Sequence, residues 1–112
     1  MQLVRDSKWA VLLRDGRIEE FNKLAATEPP DLRKTDLRMI DLRKADLGRA
    51  DLSGAYLRNA DLRGLDFSAA NLEGASLHDA NVAGVFFPEA LCAEEIRLSV
   101  DLGTRMRCRV SR

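Results

Sequence analysis

The chain has 112 residues, 46% of them apolar, with 18 Lys/Arg against 18 Asp/Glu and a formal net charge of zero. That leaves room for one domain with caps, without a long apolar run for a membrane span, a signal-peptide pattern at Met1-Gln2-Leu3-Val4-Arg5-Asp6 or the strongly basic balance that draws a chain to nucleic acid. Its two cysteines, Cys92 and Cys108, supply neither a disulfide framework nor metal-ligand spacing, so the chain reads as a soluble cytoplasmic protein.

Residues 1–29 read as an N-terminal capping segment. Trp9, Val11, Leu12 and Leu13 lie in a short stretch open to either helix or strand, a helix from near Ser7 being preferred. After Gly16, the run from Arg17 to Ala26 places Ile18, Phe21, Leu24 and Ala25 on one helical face. Glu19 and Glu20 suit the positive end of that helix, and Pro29-Pro30 stop it.

From Asp31 to Cys92 the chain repeats every five residues. A bulky apolar side chain falls at Leu32, Leu37, Leu42, Leu47, Leu52, Leu57, Leu62, Phe67, Leu72, Leu77, Val82 and Phe87. The residue before it is Asp or Asn in nine of those twelve units, and Ala stands two before it in seven. On an α-helix, five residues leave each leucine about 140° from the last, and on a flat strand an odd period sends successive leucines to opposite faces. Either geometry exposes half of them. A chain that turns a corner every five residues sends them all inward, stacked as a solenoid. Four sides make a twenty-residue coil, so Leu37, Leu57 and Leu77 should form one column, and Leu42, Leu62 and Val82 a second. Leu47, Phe67 and Phe87 make a third. Leu52, Leu72 and Cys92 make the fourth, which places Cys92 inward.

The run Ala45-Asp46-Leu47, Ala50-Asp51-Leu52, Ala60-Asp61-Leu62 and Ala70-Asn71-Leu72 resembles the pentapeptide-repeat family, over about residues 30–92. The resemblance implies a mainly β fold, a right-handed, four-sided β-helix, of about three coils over residues 30–92; the end coils need covers, and the flanks read as an N-terminal helical cap and a C-terminal cap of helix then strand. Similar stretches, a glycine followed by an aromatic-Asn pair like Gly16 and Phe21-Asn22, precede the repeats in a number of proteins of that family, which supports the helical cap.

Residues 93–112 read as a C-terminal capping segment or tail. Glu94 to Leu102 suits a helix ended by Gly103, or a strand, since Ile96, Leu98, Val100 and Leu102 alternate. Met106, Cys108 and Val110 alternate with Arg105, Arg107 and Arg109 and read as a strand. Phe86 and Leu91 stand where the repeat puts polar residues, which predicts that the tail folds back over them.

Nothing in the pattern argues for an enzyme, a cofactor or a metal. His78 has no second ligand nearby, and Ser53, Ser68 and Ser76 have no partnered base. The aspartates recur at the spacing of corners, where a short acceptor bonds to nearby backbone N–H groups. What remains is surface. Residues twenty apart put Arg38, Arg58 and His78 in one outward column and Arg43 and Arg63 on the next side, a candidate protein-binding stripe, although such rows also serve simply to keep a wall solvated. The expected function is therefore a non-catalytic protein-interaction or scaffold module, with nucleic acid disfavoured, no membrane contact, and the C-terminal segment a candidate homodimer contact. The resemblance adds an alternative, since some pentapeptide-repeat proteins mimic duplex DNA and bind type II topoisomerases such as gyrase, protecting or modulating them. Those are long and acidic, whereas three coils span only about 15 Å at the usual inter-strand spacing and this chain is neutral.

Overall fold

A computed structural model describes Leu3 and residues 7–109. Two short helices come first: α1, Lys8–Arg14, and α2, Ile18–Ala25. Ser7 starts α1, its hydroxyl accepting the Ala10 N–H at 3.1 Å and so supplying a partner that the first helical turn lacks. Trp9 and Phe21 meet edge to face with centroids 5.3 Å apart, which locks the two helices together and buries both rings.

The repeat follows as three stacked coils, residues 31–50, 51–70 and 71–90. Their period of twenty shows in the backbone. Leu32 N–H donates to Asp51 O, Leu52 N–H to Asn71 O, and in return Asp51 N–H donates to Pro30 O and Asn71 N–H to Ala50 O. Most corners are turns closed from the Ala position to the preceding Leu, as from Ala55 N–H to Leu52 O at 2.9 Å. Leu37, Leu42, Leu52, Leu57, Leu62, Phe67, Leu72 and Leu77 are fully buried, and Leu47 nearly so. Val82 and Phe87, at the far end of their columns, are only half-buried.

The mainly β expectation is overturned. Among the described residues the regular elements are three short helices, and the coils are tied by isolated parallel bridges such as Asp31↔Asp51, Tyr56↔Ser76 and Asp66↔Phe86, with no strand, sheet or barrel. The reason lies in the period. A side of five residues spends its middle positions on the corner turn, so a single residue per side sits between ladder bonds and no run grows long enough to count as a strand. The architecture is a stack of turns, not a β-helix.

The C-terminal expectations need three further corrections. After Phe87 the corner slips by one residue: Leu91 N–H donates to Pro88 O, where earlier units would close the turn from the residue before. Leu91 is thereby buried, while Cys92 is exposed at the start of α3, Ala93–Leu102. Phe86 is not covered by the tail and stands 68% exposed. Residues 103–109 form no strand, and Val110 lies outside the described residues.

The tail instead supplies partners for the third coil. Gly74 N–H donates to Met106 O at 2.6 Å and Met106 N–H to Ala75 O at 2.9 Å, and Asp79 N–H donates to Val100 O. Met106 is fully buried. It occupies the place that a fourth coil would fill.

Candidate functional site

The walls take their character from a tripeptide. In Asp-Leu-Arg the leucine points inward, so the flanking Asp and Arg share the outer face, two residues apart. Arg33, Arg38, Arg43 and Arg63 each lay Nε and Nη2 on both carboxylate oxygens of Asp31, Asp36, Asp41 and Asp61, at 2.8–3.0 Å. This two-pronged geometry is the strongest form of the Arg–carboxylate contact. The same carboxylates accept the backbone N–H two residues on, as Arg43 N–H donates to Asp41 Oδ1 at 3.1 Å, so each Asp ties its side chain, its neighbour and the corner together.

The guanidinium hydrogen bonds hold Asp31, Asp41 and Asp61 below the usual carboxylate range, Asp41 far below it, and raise Arg33, Arg43 and Arg63 in turn. Asp66, without an arginine, is lowered by hydrogen bonds from Ser68.

Arg38, Arg43 and Arg63 of the predicted stripe are therefore ion-paired. Arg38 also lies with its guanidinium carbon 5.7 Å from the Tyr56 ring centre. Arg58 follows Tyr56-Leu57 rather than Asp-Leu, is exposed, and makes no ion pair among the described residues. His78, in the same column, is half-buried against Gly103, where an added Cβ would come within 3.2 Å of the imidazole. It belongs with the end of α3 rather than with an open stripe. The sequence reading missed the forks, although the recurring Asp-Leu-Arg at 31–33, 36–38, 41–43 and 61–63 was the signal for them.

Two other side chains act as backbone substitutes. Asn22 of α2 donates Nδ2 to Lys44 O at 2.9 Å and accepts Asp46 N–H at 2.7 Å, closing part of the first coil's lower edge. Arg105 donates Nη1 to Gly54 O at 3.2 Å and Gly74 O at 2.9 Å, strapping the tail to two coils at once.

Chemistry finds little purchase on these walls. Burial and the Glu73 carboxylate push the Cys108 thiol up to about 11, so it is protonated and a weak nucleophile at neutral pH. A surface hollow of about 590 Å³ beside α2 is lined by Gly16, Arg17, Ile18, Glu19, Glu20, Asn22 and Lys44, a set without a nucleophile beside a base. Among the described residues no His, Cys, Asp and Glu cluster could hold a metal, and no helix is long and apolar enough to cross a membrane.

The family model for pentapeptide repeats matches residues 50–87, in eight copies. The chain carries pentapeptide repeats. No curated protein and no solved structure matches it. Pentapeptide repeats point to an interaction or structural module, and in this chain the same five-residue geometry extends below the matched segment, since Asp31, Asp36 and Asp41 bridge to Asp51, Tyr56 and Asp61.

Proposed function

We propose that this protein is a non-catalytic interaction module of the cytoplasm, a compartment that suits two unpaired cysteines, and that it presents its coil wall to a protein partner. One observation carries the reading: four of the wall's arginines are already paired with aspartates at 2.8–3.0 Å. Paired charges set side by side make a pre-ordered, nearly neutral pattern, which matches a mixed-charge protein surface better than a phosphate backbone or a nucleic-acid groove. Arg58, which makes no ion pair among the described residues, stands exposed between these forks as a cation that an acidic group would meet.

The test compares proteins from the native host retained by the immobilised wild type and by a variant with Arg38, Arg43, Arg58 and Arg63 changed to Gln. A protein held by the wild type, lost from the variant and weakened by salt supports the wall as the contact. Equal retention by both overturns it. The DNA-mimic alternative has a separate readout, inhibition of purified gyrase supercoiling; the arginine-capped carboxylates do not favour it, because a mimic must show its negative charge uncovered.

A further inference from the structure

The third coil has two opposite sides to its upper rim, and among the described residues the tail closes the one at Gly74-Ala75. At Gly74-Ala75 the rim is occupied: Met106 O accepts the Gly74 N–H, Met106 N–H donates to Ala75 O, and Arg105 reaches back to the carbonyls of Gly54 and Gly74. Ten residues on, and so on the opposite side of the coil, Gly84-Val85 repeats that arrangement. Gly74 and Gly84 hold the same left-handed backbone, φ +75° and +71°, and Gly84 stacks on Gly64 as Gly74 stacks on Gly54. Below, Gly64 N–H donates to Ala83 O just as Gly54 N–H donates to Glu73 O. Above, no described residue corresponds to the tail. The N–H groups of Val82, Gly84 and Phe87, whose counterparts Leu62, Gly64 and Phe67 are all bonded to the next coil, have no partner among the described residues. Gly84 is exposed, whereas Val82, Val85 and Phe87 are half-buried where the matching Leu62, Leu65 and Phe67 are covered.

The geometry points to the 81–87 rim as a docking edge for an extended peptide of another protein, bearing a basic residue followed by an apolar one. The occupied side of the same coil defines the occupant. The apolar residue's carbonyl accepts the Gly84 N–H and its amide donates to Val85 O, adding an extended chain to an open edge. Its side chain covers the exposed ends of the Val82 and Phe87 columns, as Met106 covers the opposite side. The preceding guanidinium or ammonium lies down the glycine ledge on the carbonyls of Gly64 and Gly84, as Arg105 does on Gly54 and Gly74. Phe86, 68% exposed at the same rim, extends the apolar footing. This surface is separate from the Asp–Arg wall and stands whether or not a partner uses that wall.

The probe is a synthetic peptide with the sequence of residues 103–109, added to the intact protein labelled for amide NMR. The expected result is a saturable shift of the Val82, Gly84 and Phe87 amides and slowed exchange at Gly84, with Gly74 and Asp79 unmoved. Replacing the peptide's first arginine by alanine should weaken binding about tenfold, the worth of one charge-assisted hydrogen bond. No shift at the 81–87 amides overturns the proposal. So does a shift confined to Gly74 and Ala75, which would mean only exchange with the protein's own tail. A Gly84 amide already protected without peptide, together with a dimer mass in sedimentation, also overturns it, because a second copy then covers the rim.

Discussion

Arg43 joins two coils through one carboxylate: its Nε lies 3.3 Å from Asp61 Oδ2, while Arg63 holds the same group at 2.8 Å. Arg43 is also forked on its own Asp41, so four charges from successive coils form one continuous patch. Three are exposed and Asp61 is half-buried, and surface pairs of this kind add little to stability singly. Their common effect is on acid sensitivity. Asp31, Asp41 and Asp61 are more acidic folded than unfolded, so the folded state holds fewer protons in acid. The stabilisation they contribute is present above the ordinary carboxylate value of about 3.9 and is lost as pH falls through their lowered folded values. Melts should therefore change little between neutral pH and about pH 5 and fall in stronger acid. Asp61→Asn should flatten that fall; a variant with an unchanged acid slope would remove the patch from the account.

The interior tolerates far less. Leu57 and Leu62 lie in the middle coil, fully buried with coils on both sides, so Leu57→Ala or Leu62→Ala should cost roughly 2–5 kcal/mol. Arg58→Ala, one residue away on the outer face, should stay within about 0.5 kcal/mol. Denaturant midpoints decide it, and comparable losses at Leu57 and Arg58 would contradict the inward–outward register.

Met39 is one of four non-glycine residues held in a left-handed corner, with Lys34, Asn59 and Asp79. It holds φ 62° with 77% of its surface exposed, in a left-handed conformation that costs most side chains about 1 kcal/mol. Other corners place Gly54, Gly64, Gly74 and Gly84 there, which is what a turn with positive φ at its third residue demands. Met39→Gly should thus stabilise the fold, raising the free energy of unfolding by about 0.5–1 kcal/mol. A destabilised variant would show that the Met39 side chain makes a contact worth more than its backbone strain.

The ends of the stack need covers. Removing residues 1–28 deletes the Trp9–Phe21 pair and Asn22, which closes the backbone at Lys44 and Asp46. The first coil would then expose leucines and unpaired edge groups, and light scattering should report oligomers or aggregate. A monomer with an unchanged melt would show that the N-terminal helices are not a cover.

The period of five and the stacking of residues twenty apart were legible in the sequence, because both follow from where a side chain must point along one local backbone path. Helix α2 was legible for the same reason, framed by Gly16 and Pro29-Pro30. Other features were not. The mainly β reading failed because a bridge becomes a strand only if the ladder continues, and continuity depends on how many residues each corner consumes. Cys92 was assigned inward by counting on past Phe87, but the corner after Pro88 slips by one residue and Leu91 takes the buried place. The arginines looked like a free stripe because a column is counted over twenty residues, whereas their partners stand two residues away on the same face. The tail was decided only in three dimensions. Alternating Arg105, Met106 and Arg107 suit any open edge, and which edge they close depends on the path of α3 and on the backbone groups that the third coil leaves unpaired at Gly74 and Ala75.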